Sequence, residues 1–185
     1  MKTKPGTSIY QLKVSLQGSK PPIWRRLLVA ADITLPKLHD ILQISMGWTD
    51  SHLHSFRTGN EYFGQPDGDF PSAMKSEARV KLNSLLQREK DSVIYEYDFG
   101  DSWEHRIVLE KILPFDEQVK LPRCTAGKRA CPPEDCGGIW GYSDLLDTLQ
   151  DPQHPDHDEM KEWLGGDFDP EFFDMAGVNK MLAQL

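Results

Sequence analysis

Four polar residues in the middle of the chain have the types and spacing needed for chemistry at neutral pH. His52 and His54 stand two apart, so on a strand both side chains leave the same side. Asp98 and His105 fall in a stretch, Val93 to Leu113, that reads as a hairpin about Gly100-Asp101. Glycine at the first central position suits the positive φ of a type II′ turn. Pairing Phe99 with Ser102 sets Asp98 opposite Trp103 and Glu96 opposite His105, all on one face. That face continues through Ile107 and Leu109, so it is the one expected to be buried. Imidazoles around a carboxylate suit a divalent transition metal with an open position, or proton transfer near pH 7. The alternative is that these groups hydrogen-bond one another and the backbone to close a small sheet.

Cys124, Cys131 and Cys136 are separated by gaps of six and four residues, and His154 and His157 follow. Cys131 and Cys136 have zinc-knuckle spacing, while Cys124 lies too far off for a standard pair and His-x2-His is unusual. The set is a candidate zinc site, with free cysteines in a tight Pro/Gly loop as the alternative. Trp24, Arg25 and Arg26 could stack on and pair with a single-stranded base. One aromatic and two arginines on a strand more often form a surface ladder. Trp103 would wall the histidine cluster, and Asp101, at the turn tip, is expected to make outside contacts. Together Trp24, Arg26, Asp101 and Trp103 are the candidate ligand-contact residues. Asp98-Phe99-Gly100 spells a kinase metal motif, but the companion kinase sequences and the length are missing.

These residues need a scaffold. Tyr10, Leu12, Val14 and Leu16 alternate with polar residues, which predicts a half-buried strand, and Ile23 to Val29 reads as its partner. Thr34, Pro36 and Gly47 bracket a helix carrying Leu35, Leu38, Ile41 and Leu42. Short strands are expected at Leu53 to Phe56 and Glu61 to Phe63, and a surface loop at 64–79. After an irregular Pro-, Gly- and Cys-rich connection at 114–140 the period becomes helical. Tyr142, Leu145, Leu146 and Leu149 share one face. Met160, Trp163 and Leu164 form a short second helix stopped by Gly165-Gly166. A last helical region opens at Asp169-Pro170 with Val178, Met181, Leu182 and Leu185 on one face. Strands first and helices last predict an α+β fold: a mainly antiparallel sheet, one helix packed on it, and a C-terminal helical layer. The expected organisation is one domain over 1–185, with a frayed start at 1–8, a sheet-plus-helix core at 9–113 and an acidic helical layer at 141–185.

Leu, Ile, Val and Phe make up 24% of the 185 residues, above the ~20% below which chains tend to be disordered. The longest apolar run, Leu27 to Ala31, is too short to span a membrane, and MKTKPGTS is no secretory signal. A soluble, cytoplasmic protein is expected. The net charge is −8, and from Glu134 onward thirteen acidic residues face only Lys161 and Lys180. That balance argues against a duplex nucleic-acid partner. The acidic third reads as helix-capping carboxylates, with a docking surface as the alternative.

Several segments recur together: Trp24 to Arg26, MGWTDSHLHSF from Met46 to Phe56, YDFGDSWEH from Tyr97 to His105, CPPEDCGG from Cys131 to Gly138, Gly141-Tyr142 and FDPEFFD from Phe168 to Asp174. In this order, over Tyr10 to the C-terminus, the series resembles the plasmid pRiA4b ORF-3-like family. The resemblance implies an α+β roll-like fold and an association with mobile elements, since members also occur as passengers of insertion elements; it brings no catalytic residue. The sequence therefore points to a non-enzymatic binding or accessory module with a protein partner. The alternatives are a metal-dependent hydrolase or nuclease using the His/Asp cluster with Zn²⁺ or another divalent transition metal, and a single-stranded nucleic-acid binder.

Overall fold

Alternation of apolar and polar residues builds one sheet. The computed structural model describes residues 7–65 and 74–185; most of the expected frayed start, and residues 66–73 of the expected loop, lie outside them. The strands are β1 (Ile9–Leu16), β2 (Trp24–Ala30), β3 (His54–Thr58), β4 (Glu61–Gly64), β5 (Met74–Ser76), β6 (Ser92–Tyr97), β7 (Trp103–Leu113) and β8 (Arg123–Lys128). They lie in the order β5-β4-β3-β6-β7-β1-β2-β8, and every neighbouring pair is antiparallel except β4 with β5. The fold is α+β.

One face of this sheet is the core. Leu12, Val14, Leu27, Val29, Tyr95, Ile107 and Leu109 alternate inward and are fully buried. Helix α1 (Leu35–Met46) lays Leu35, Leu38, Ile41 and Leu42 into the same cluster. Thr34 precedes it with extended backbone, a proline stands in the first turn, and Gly47 ends it in the left-handed region at φ 101°. The other face is polar, and Arg26 grips Glu110 there while Arg57 grips Glu104.

Helices α3 (Gly138–Gln150), α4 (His157–Trp163) and α5 (Met175–Leu182) follow the sheet, and a short α2 (Leu82–Leu85) precedes β6. Tyr142 and Leu145 of α3 and Val178 and Leu182 of α5 join the core, and α5 packs against β8 and α1. Met181 and Leu185 stay exposed, so the last apolar face is narrower than expected. That helix starts at Met175, not at Asp169-Pro170, because Asp174 caps it by accepting from Gly177 N at 2.8 Å.

Three expectations about the sheet are corrected, the first because β5 forms at Met74–Ser76 and pairs with β4 inside the expected 64–79 loop. The 114–140 connection is not wholly irregular: β8 pairs with β2 there. The hairpin is slipped by one residue. Tyr97 pairs with Trp103, Glu96 with Glu104 and Tyr95 with His105. Asp98 and Ser102 both take positive φ, 58° and 53°, and Ser102 N donates to Asp98 O at 2.6 Å, which makes a five-residue loop of 98–102. A one-residue slip exchanges the faces of a strand. Tyr95 and Tyr97 therefore point to the core beside Trp103 and His105, Glu96 faces outward, and Asp98 leaves the ladder.

Candidate functional site

Three segments far apart in sequence meet at one end of the sheet: the loop after α1, the 98–102 turn and the stretch leading into α3. Trp48 Nε1 donates to Pro132 O at 3.2 Å. The Glu134 carboxylate accepts from Thr49 N at 2.8 Å, from Thr49 Oγ1 at 3.0 Å and from the Tyr97 hydroxyl at 3.0 Å. Burial, reinforced by Glu134, pushes the Tyr97 phenol up, so it stays a neutral donor. Asp98 N donates to Leu53 O, and Asp101 Oδ2 accepts from Gly137 N at 3.1 Å. At Gly138, with φ 68°, a Cβ would stand 2.5 Å from Asp101 O, so only glycine lets the chain pass this close.

Beside this junction lies a cavity of about 420 Å³. His39, His52, His54, Asp40, Asp50 and Glu77 line it, with Pro36, Leu53, Met74 and Phe99 among its apolar walls. The His39 and His54 rings stack at 3.6 Å and 10°. Each imidazole has its own carboxylate. His39 Nε2 lies 2.8 Å from Asp50 Oδ1, and His54 Nε2 lies 3.1 and 3.2 Å from the two oxygens of Glu77.

The directions of the bonds around His39 follow from what each group can do. Asp50 N–H can only donate, and it meets Gln43 Oε1 at 2.8 Å. The Gln43 amide nitrogen is then turned to the Tyr95 hydroxyl at 3.0 Å. The Tyr95 hydroxyl donates its single hydrogen bond to His39 Nδ1 at 2.8 Å, and the remaining Nε2–H of His39 donates back to Asp50. The ring starts and ends on one residue. It requires a neutral His39, and burial together with the stacked His54 lowers the pKa of His39 accordingly. Burial also raises Tyr95 well above the ordinary phenol value, which keeps its proton in place.

At the rim, His52 Nε2 is 3.2 Å from Asp135 Oδ1 and 3.7 Å from Asp98 Oδ2. It is shielded from solvent and hydrogen-bonds neither, since the first approach is poorly angled and the second too long. One donor atom from each of His52, Asp98 and Asp135 lies within 4.8 Å of the others.

The sequence model of the plasmid pRiA4b ORF-3-like family matches residues 8–177. The chain belongs to that family. It is 39% identical over 180 residues to the uncharacterized protein y4hQ of Sinorhizobium fredii (strain NBRC 101917 / NGR234), covering 96% of this chain and 92% of the relative. The crystal structure of a protein of unknown function, MM3350 from Methanosarcina mazei Go1, is similar at 41% identity with a TM-score of 0.85, covering 95% of this chain and 99% of that one. In this pRiA4b ORF-3-like chain the segments 46–56, 97–105 and 131–138 are the three that meet at the junction beside the cavity.

Of the four residues singled out for chemistry, the structure brings His52 and Asp98 together, turns His54 to Glu77 in the same cavity as His52, and buries His105 in the core. His105 is fully buried under Trp48, with ring centroids 5.1 Å apart, and Nδ1 reaches Tyr95 O at 3.3 Å. Burial drives its pKa down to about 4. Among the described residues, the atoms of Cys124, Cys131, Cys136, His154 and His157 form no group of three spaced for one ion. His154 Nδ1 accepts from Asp156 N, His157 pairs with Asp158, and Cys124 Sγ donates to Ala126 O. Burial raises all three thiols, Cys136 to about 12.

The base-stacking step is also redirected. Arg26 is held by Glu110, Arg25 is buried, and Trp24 lies under Arg26 and Lys13 as a surface ladder. Trp103 is buried against Trp48, away from the cavity wall. Asp101 is spent on Gly137 N. Sequence reasoning missed His39, Asp50, Glu77, Tyr95 and Asp135. His39 and Gln43 had a signal: two polar residues, four apart, inside the apolar stripe of α1.

Proposed function

We propose that this chain is a binding module whose cavity takes a small organic cation, a primary amine or a guanidinium. The observation that carries the reading is the composition of the wall. Asp40, Asp50 and Glu77 line the cavity with three histidines, and among the described residues neither lysine nor arginine lines it. A cleft with carboxylates in a low-dielectric wall concentrates cations. His39 is neutral and so leaves the Asp50 charge uncancelled. Asp40, with a side chain 47% exposed, has Lys37 Nζ 3.9 Å away in a loose surface pair, which a ligand ammonium would share or displace. Leu53, Met74 and Phe99 supply the surface for an alkyl chain.

The cation has two sources, a free polyamine or a lysine or arginine side chain of a partner protein. Membrane insertion is not part of the reading, since no helix among the described residues is long and apolar enough to cross a bilayer. Three free cysteines support a reducing, cytoplasmic setting. The experiment is calorimetric titration with agmatine, a lysine-rich peptide, an arginine-rich peptide and, as anionic controls, phosphate and citrate. Saturable binding of agmatine or of a peptide, weakened by Asp40→Asn and absent for the anions, is the expected result. Tighter binding by free agmatine points to a polyamine, and tighter binding by a peptide to a protein partner. Binding of an anion in preference to every cation overturns the reading.

A further inference from the structure

We propose that His52, Asp98 and Asp135 form a binding site for a divalent transition-metal ion at the rim of the cavity. The site goes beyond cation binding in the cavity itself, because it uses other donors and another ligand class. Its geometry needs little adjustment. Two donors on one ion with bonds of about 2.1 Å stand roughly 3–3.5 Å apart, and His52 Nε2 already lies 3.2 Å from Asp135 Oδ1 and 3.7 Å from Asp98 Oδ2. Each donor is held. Asp98 Oδ1 accepts from Gly100 N at 2.9 Å, which leaves Oδ2 turned to His52. The His52 ring stands edge-on to Tyr97 at 5.8 Å and 75°. The Asp135 carboxylate is 70% exposed, but its stretch of chain is anchored on both sides, by Glu134 on Thr49 and Tyr97 and by Gly137 on Asp101.

The chemistry of the set agrees. The shielded His52 Nε2 makes no hydrogen bond, so with the ring proton on Nδ1 its electron pair is free to take an ion. One neutral imidazole and two carboxylates balance a 2+ charge and form a mixed nitrogen–oxygen set that suits Zn²⁺ or Mn²⁺. Three protein ligands leave a coordination position open, and His52 also lines the cavity. The ion would join residues 52, 98 and 135, and so pin the 131–138 segment to the turn and to the loop after α1.

The test uses the full chain, stripped of metal by a chelator and titrated with ZnCl₂ or MnCl₂. Wild-type protein is expected to show a saturable rise in Tm at one ion per chain, and slower amide exchange over 131–138. Asp135→Asn and His52→Gln should each raise the metal concentration needed by at least about tenfold, the scale on which losing even an outer-shell partner weakens a site. Asn tolerates the left-handed backbone that Asp135 adopts at φ 58°, so that variant keeps the fold. Cys131→Ser should leave the shift intact. No saturable shift in the wild type, a shift that survives both ligand variants, or a shift abolished by Cys131→Ser overturns the assignment. Binding of agmatine without metal is a separate outcome and bears only on the cavity.

Discussion

Arg25 and His52 both turn a polar head away from bulk water, yet the molecule closes one and leaves the other open. Arg25 is 1% exposed. Its guanidinium donates to Ser45 O, Trp24 O and Lys128 O at 2.8–3.0 Å and lies 3.8 Å from the centroid of the Phe173 ring. Gly127 makes room, since a Cβ there would collide with Phe173 and stand 3.0 Å from Arg25 Cδ. The cation ties β2 to the end of α1, to β8 and to the segment before α5. His52 differs in its bonding: it has two carboxylates nearby and no hydrogen bond from Nε2, and the cavity it lines, about 420 Å³, is larger than the one of about 220 Å³ that Arg25 lines. A buried polar group with its partners in place is structural; one held beside unused partners is where a ligand belongs.

The largest effect is expected at the closed region. Arg25→Met leaves three carbonyls without their donor, and unsatisfied buried groups cost about 1–3 kcal/mol each before any relaxation. Urea denaturation should show a loss of about 4 kcal/mol in all. A loss under about 1 kcal/mol would mean the guanidinium is no anchor.

Next is His105, which sits in the core under Trp48 and whose charging the Arg25 cation also opposes. Its folded-state pKa of about 4 lies below the ~6.5 of a free imidazole. As pH falls, the unfolded chain takes up the proton first. Stability from this residue is therefore full above pH ~6.5 and is lost as pH falls to about 4, by about 3 kcal/mol in all. His105→Phe should flatten the stability profile over that window. An unchanged slope would contradict a neutral buried imidazole.

A smaller effect separates the two kinds of polar burial inside the cavity wall. Tyr95→Phe removes the proton that fixes the His39 tautomer and leaves Gln43 and His39 Nδ1 without their shared partner. The cost should be about 1–2 kcal/mol, with a change in the nitrogen shifts of His39 by NMR while those of His105 hold. A variant in which the His39 tautomer is unaltered would break the ring of bonds through Asp50.

The legibility of these regions in the sequence follows the same physics. β1, β2 and α1 were readable because apolar period two and period 3.6 are strong where one face is buried. β8 was hidden because Arg-Cys-Thr-Ala-Gly-Lys has no alternation and pairs at the sheet edge. The hairpin register was missed because Asp98 and Ser102 take left-handed backbone, which lengthens the turn beyond the two residues that Gly100-Asp101 suggested. His52 and Asp98 were visible by residue type. Asp135 was obscured by its Pro/Gly-rich surroundings, and Glu77 stands in a loop with no local pattern around it. His39 was readable as a polar intruder on an apolar helix face, and its partner Tyr95 only once the register was known.

The central claim is that the open histidine–carboxylate cavity, and not the closed arginine region, is where this protein meets its ligand. Chemical-shift mapping of the uniformly labelled chain during titration with agmatine tests it most directly. The account predicts saturable shifts at His39, His52, His54 and the backbone of 50–53, with Arg25, Phe173 and the β2–β8 pair unmoved. Shifts centred on Arg25 and α5, or none at His39 and His54 at saturating agmatine, would contradict it.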